Sequence, residues 1–246
     1  MKRVFSRQHR WKTLLILLLD IAFIRLGIWQ LDRLDQRRAA NILVAQRVNA
    51  PPLRLNDLPA TTDWFDLVNR RVTAEGEFDV DRQIMVQFQT YEGRPGVYLL
   101  TPLRLTGSDQ AVLVNRGWLP LDQADPTQWA QATAGGVITL TGYLQTAGRP
   151  DPGATVAPGS SPFQPEALRL NVPELQAQIA YPTLPVYLLE APPTPPQTGP
   201  PYRLQPNIDL SEGPHLSYAL QWFAFAVIFS GGYVYYLRRS LVGRSD

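Results

Sequence analysis

Only one histidine, His215, lies outside the basic N-terminal segment that holds the other, His9. It opens the stretch HLSYALQWFAFA at the start of a long apolar run. A neutral imidazole at the mouth of an apolar helix has the chemistry of an axial ligand to haem iron, with the polar edge of the macrocycle left for propionates. On a helix, Ala219 and Trp222 share the side of His215, and Ala226 and Ser230 continue a thin stripe. Small residues there leave room beside the ring for a flat group. The competing reading is a histidine that caps the helix or packs at its interface. Catalysis finds no support: no Ser-His-Asp, Cys-His or paired-carboxylate arrangement is evident, and no second histidine is at hand. The chain is therefore not read as an enzyme. It has no cysteine, which removes disulfides, zinc ribbons and thiolate metal sites.

Arg116 shares a strand face with Val112 and Val114 in VLVNRGW, and Trp118 follows on that face. An arginine entering a buried face needs a partner. The partner is a bound carboxylate or propionate, or else an internal acid, with stacking on Trp118 as a further option. Arg33 and Arg203 are the other candidates for a propionate. Glu75, Glu77, Asp79 and Asp81 alternate along VTAEGEFDVD. Successive members lie ~6.6 Å apart, too far to converge on a calcium ion without a sharp bend. They read as a solvated sheet face. Asp20 sits inside an apolar segment, where a charge costs ~3 kcal/mol. Either it is protonated and tolerated, or it meets a polar group on a neighbouring helix. Counting inward from the outer surface puts that group near Ile228 to Ser230, with Ser230 first. Arg25 is turned about 140° away from Asp20 on a helix and snorkels outward.

The elements that carry these residues follow from periodicity. Residues 13–31 and 216–237 are each long enough for a transmembrane helix, and the second has no charged residue. Residues 1–12 form a basic arm, and residues 238–246 a basic tail. The bias places both termini in the cytoplasm and residues 32–215 outside, although Arg33, Arg37 and Arg38 follow the first span on the outer side. That exported block carries 14 arginines against 19 acids, a poor surface for nucleic acid.

Residues 32–50 prolong the first helix, with Leu31, Leu34, Ala39, Ile42 and Gln46 near one side and Pro51-Pro52 ending it. From there the period is two. VTAEGEFDVD, QIMVQFQ, VYLLTPLRL, AVLVNRGWL, GVITLTGYLQT and PVYLLE read as six strands. TYEGRPG is a turn, Pro102 marks an edge or a bulge, and AVLVNRGWL, apolar on both faces, is central. The fold class is thus two transmembrane α-helices flanking a mostly antiparallel β domain, a small barrel or sandwich, over residues 51–190. A short helix is expected at PELQAQIA, with Pro173 at its start. Residues 148–165 read as a flexible insertion. Residues 191–215 read as a Pro-rich tether back to the membrane.

Four stretches, LGIWQLDR, GVYLLTPLRL, VLVNRGWLP and HLSYALQWFAFA, stand in this order along the chain. Together they resemble the Surfeit locus protein 1 family, the cytochrome c oxidase assembly factors, and in particular its bacterial members. The resemblance implies a two-span protein of the bacterial plasma membrane, in contact with membrane lipid, that helps mature haem-copper oxidases of the respiratory chain. It implies a chaperone that handles haem a on its way to the oxidase catalytic subunit or an assembly intermediate, and it places His215 where the family keeps a histidine. Asp20, Trp29, Gln30, Tyr218, Gln221 and Trp222 are the candidate partner contacts. The alternative is a cofactor-free membrane scaffold, or an accessory subunit, that holds the oxidase core.

The orientation is directly testable. A reporter active only outside the cytoplasm is expected to be silent when fused after Asp246 and active when inserted within 148–165; the opposite pattern overturns the assignment.

Overall fold

The computed structural model describes residues 7–59, 61–125, 135–148, 156–195, 197 and 199–242. Residues 149–155 of the expected insertion, and the outermost residues of the arm and tail, lie outside the described residues. The chain divides into two units. One comprises the residues up to Leu43 and from Asp209 onward; the other is Val44–Ile208.

The first unit is built from two helices. Helix α1 runs without a break over Arg7–Asn49, so the expected span 13–31 and its extension form one helix that stops before Pro51. The last helix, His215–Val242, is, like α1, long and apolar enough to cross a membrane. The less exposed positions of α1 include Thr13, Ile16, Asp20, Phe23, Gly27, Gln30, Leu34 and Arg37, which alternate three and four residues apart. That is the spacing of a left-handed helix pair. The contacts descend in antiparallel order from Gln30 with His215 to Thr13 with Tyr233. Leu34 is buried as expected, but Leu31 and Ile42 are exposed, so the side read from those apolar residues is not the packed one.

The second unit is a closed barrel. Its strands are β1 (Leu53–Arg54), β2 (Arg71–Phe78), β3 (Ile84–Tyr91), β4 (Arg94–Leu105), β5 (Ala111–Pro120), β6 (Val137–Gln145), β7 (Glu166–Ala167) and β8 (Thr183–Glu190). The order β2-β6-β8-β5-β4 returns to β2 through a β2–β4 pairing, which closes a ring of five. Strand β4 is long enough to serve two partners on one side: its first half pairs with β3 and its end with β2. Pro102 falls where one partner gives way to the other, so its missing N–H costs no ladder bond, and its carbonyl accepts from Asp79 N.

The alternation read from sequence holds in β2, where Val72, Ala74 and Gly76 are buried, and β5 is buried along nearly its whole length. Residues from all five ring strands, among them Val72, Leu103, Val112, Leu144 and Leu188, meet in one core inside the barrel. Each such side chain contributes about 1.5–3 kcal/mol on burial. A second layer lies on the outer face of β3, β4 and β5, covered by α2 (Val172–Gln176). This helix is shorter than PELQAQIA suggested, and Pro173 lies in its first turn as expected.

Four further expectations need correction. The sheet has eight strands, not six, because β1 and β7 are two-residue additions. Its long ladders are mostly antiparallel, as expected, but β8 runs parallel to β5, since the long excursion from β6 lets it arrive in either direction. The TYEGRPG turn shrinks to Glu92 and Gly93, both at positive φ, the mirror-image turn that suits a twisted hairpin. Residues 156–165 have no regular structure yet are fastened down, with Gly159 N on Ile179 O and Ser161 N on Ala177 O. Likewise the tether is tied to the barrel at Tyr202, whose backbone exchanges two hydrogen bonds with Trp118.

Closure generates a prediction. A Cβ at Gly76 would lie 2.1 Å from the Arg104 carbonyl oxygen across the closing seam. Gly76→Ala is expected to lower unfolding stability by about 2 kcal/mol. Gly135→Ala, with nothing within 4 Å, is expected to stay within about 0.5 kcal/mol. Denaturant titration of the full chain in micelles, followed by tryptophan fluorescence, compares the two.

Candidate functional site

The last helix, now α3 (His215–Val242), begins at the candidate ligand itself. Its lead-in is held by α1. Arg37 donates to Asp209 at 2.9 Å, Arg38 grips Glu212 through two hydrogen bonds of 2.7 and 2.9 Å, and Asn41 donates to the carbonyls of Leu210 and Ser211. The Arg38 hydrogen bond holds the Glu212 carboxyl below its usual range, and hydrogen bonding to Ser211 does the same for Asp209. These pairs are solvent-exposed, so they orient the segment more than they stabilise it.

His215 is half-buried, and its Nδ1 lies 2.9 Å from Gln30 Oε1. With the Gln30 oxygen as acceptor, Nδ1 carries the proton and Nε2 is the free base. Nε2 makes no hydrogen bond among the described residues. Gly213 turns the chain into the helix at a φ of +67°, and a Cβ there would only touch the imidazole, 3.8 Å from Nε2.

The room expected beside the imidazole is absent. Ala219 is fully buried and Ala226 nearly so, because the small stripe faces α1 and not a vacant surface. Small residues let two helices approach closely, and α1 takes the space they leave. Gly27 plays the same part on α1: a Cβ there would meet the Phe223 ring at 2.5 Å. Phe23 packs against Trp222, Phe225 and Phe229. Further along, Ser230 Oγ donates to Asp20 Oδ2 at 2.5 Å, the pairing expected from depth alone. Asp20, Gln30 and Trp222 are thus engaged between the two helices. Trp29 and Tyr218 are about half exposed and Gln221 is exposed.

The arginine candidates separate by unit. Arg33 lies over the Trp29 ring and donates to Gln36 on α1. Arg116 and Arg203 belong to the barrel, and both feel the charge of Glu190. Arg203 Nε is 2.8 Å from Glu190 Oε1, and the same carboxylate acts on Arg116. Burial lowers the Arg116 pKa and raises that of Glu190. Arg116 lies in the field of Glu190, whose Oε2 accepts no hydrogen bond among the described residues, and its guanidinium stacks on the Phe78 ring. Trp118 packs with Tyr91 and Tyr202 instead. The acidic face is dispersed, as its spacing required: Glu75 turns to Arg54, and Asp79 to Arg104 and Tyr181. Among the described residues no cluster of three or more His, Cys, Asp or Glu could hold a metal ion.

Two residues escaped the sequence reading in their roles. Gln30 was a candidate partner contact, not the acceptor for His215; the three-four spacing along α1 was the available signal. Glu190 ends the last strand and carries no local mark of its pairing with Arg203.

A small closed barrel between two long apolar helices, with one imidazole at a helix mouth, defines a class of helix-flanked barrel protein without a recognisable catalytic centre among the described residues. The model of the SURF1 family matches residues 17–227, and the chain belongs to that family. It is 27% identical to a SURF1-like protein of Monosiga brevicollis over 94% of this chain and 88% of that one. It is 31% identical to Surfeit locus protein 1 of Arabidopsis thaliana over 50% of this chain and 38% of that one. An uncharacterized SURF1-like protein of Mycobacterium bovis is 26% identical over 88% of this chain and 78% of its own.

Loss of the Asp20–Ser230 bond is expected to weaken the helix pair modestly. Asp20→Leu should cost about 1 kcal/mol in a detergent unfolding titration of the full chain. Ser230→Ala should add little once Asp20 is gone. Fully additive single effects in the double-mutant cycle would reject the pairing.

Proposed function

We propose that the protein is a membrane-inserted assembly factor for haem-copper cytochrome c oxidase, and that His215 receives haem a as cargo for the catalytic subunit. Both helices cross the membrane in this reading, with the termini on the cytoplasmic side and the barrel outside. Family membership supports the assembly role. The observation that carries the haem reading is the Gln30–His215 hydrogen bond, which occupies Nδ1 and leaves Nε2 without a hydrogen-bond partner among the described residues. Haem iron accepts a neutral imidazole nitrogen as an axial ligand. The chain supplies the rest: Gln30 holds the proton on Nδ1 and fixes the ring plane, and the Arg37, Arg38 and Asn41 contacts position the helix mouth. A hydrogen-bonded outer partner also raises the basicity of a ligating histidine. Because α1 fills the small stripe, the cargo would meet His215 from its Nε2 edge and not along Ala219 and Ala226.

A second reading has its own observation. Gln30 and the buried Ala219 make His215 a good interhelical clamp without any ligand, as a cofactor-free scaffold or an accessory subunit would require. The absorption spectrum of protein purified from cells that make haem a decides between them. The haem reading expects a Soret band that His215→Ala abolishes and that Gln30→Leu retains with roughly 10- to 100-fold weaker affinity. A wild type without haem absorption, or a His215→Ala variant that binds like wild type, hands the role to the scaffold. Stoichiometric copurification with active oxidase would mark an accessory subunit.

A further inference from the structure

A cleft of 740 Å³ opens on the barrel unit, away from its closed core. Its walls come from the end of β3, from β4, β5 and β8, and from the returning segment 203–207. Among the described residues no carboxylate lines it. Asn115 is only 2% exposed; its Oδ1 accepts from Gly117 N, which leaves Nδ2 as a donor with no partner among the described residues. Arg203 gives Nε to Glu190 and Nη1 to Gln197, and its Nη2 makes no hydrogen bond among the described residues. Tyr98 and Tyr187 also line the cleft. Burial pushes the Tyr187 hydroxyl up to about 12 and raises that of Tyr98, so both remain protonated donors at neutral pH. Gln205 and Asn207 add amides.

Such a lining calls for a ligand rich in acceptors. One guanidinium, already shared with Glu190, suits a monoanion better than a doubly charged phosphate. Side-chain amides and tyrosine hydroxyls at several points along a cleft of this size match the repeated carbonyls of a polypeptide. A second observation agrees. On the side away from β4, β7 pairs with Met85 and Val86 of β3; after the break at Phe88, whose φ is positive, and with Gln87 O taken by Gln89 Nε2, Thr90 and Tyr91 pair with no strand on that side among the described residues. Thr90 and Tyr91 of that edge line the cleft, and Phe88 stands 82% exposed beside them. Open edges accept an added strand, and carboxyl termini are captured by convergent donors.

We propose that this cleft binds the carboxyl-terminal end of a partner polypeptide, laid along the open edge of β3 with its carboxylate turned to Arg203 and Asn115. The proposal is independent of the haem reading, and a His215→Ala chain is expected to bind the peptide as wild type does.

The test uses the full chain in detergent micelles with three probes: acetyl-tetraalanine with a free carboxylate, the same peptide as its C-terminal amide, and acetate. The readout is the Asn115 side-chain amide in nitrogen-15 NMR spectra. The free acid is expected to shift this signal at least about tenfold more tightly than the amide or acetate, the effect of losing a charge-assisted contact. Asn115→Asp keeps the acceptor for Gly117 N and adds a negative charge, and is expected to weaken free-acid binding by at least about tenfold, read from the tyrosine signals of the cleft. The comparison of acid with amide is made on unaltered protein and decides whether or not the variant folds. Equal binding of acid and amide overturns the carboxylate assignment. Acetate binding as tightly as the peptide overturns the polypeptide, and no shift with any probe at millimolar concentration overturns the site.

Discussion

The barrel unit depends on one close approach. At Gly76 the backbone of β2 meets that of β4 with no side chain between them, and this seam turns an open sheet into a ring. An open five-stranded sheet of this sequence would leave Val72, Leu140, Leu144 and their partners facing water on one side. Closure gives them a common interior and removes two edges at once. It also frees the first half of β4 to carry β3 outward as a flap, and the second layer under α2 and the cleft beside Tyr91 are both built on that flap.

The helical unit solves a different problem. Two helices long and apolar enough to cross a membrane would gain nothing there from hydrophobic burial, so packing and polar contacts would have to hold them together. Here polar and small residues occur at intervals along one seam: Thr13 with Tyr233, Asp20 with Ser230, Gly27 under Phe223, and Gln30 with His215. The imidazole is thus part of the seam before it is anything else. Its functional reading rests on the one nitrogen the seam leaves over.

In the barrel, charge is organised around Glu190. Arg203 pairs with it directly and Arg116 lies in its field, in a partly buried setting where removing Arg203 would leave the carboxylate without its ion-pair partner. The Arg203 arm and the Trp118–Tyr202 backbone pair fasten the Pro-rich segment to the barrel wall. The segment that composition suggests is a loose spacer therefore becomes a wall of the cleft.

Much of this was legible in the sequence. Hydropathy and length define the two helices, period-two alternation defines the long strands, and the central place of β5 follows from its unbroken apolar run. These are local properties, set by what each residue does to its neighbours along the chain. Counting inward along two apolar segments of similar length even matched Asp20 to Ser230, because an antiparallel pair fixes which positions lie opposite. The tertiary structure decided what depends on partners distant in sequence: the parallel β5–β8 pair, the closing seam, the Glu190 ion cluster and the acceptor for His215. It also reversed the meaning of Ala219 and Ala226. A stripe of small residues marks only that something comes close, and whether that is a macrocycle or another helix is fixed by which surface the folded chain brings to it.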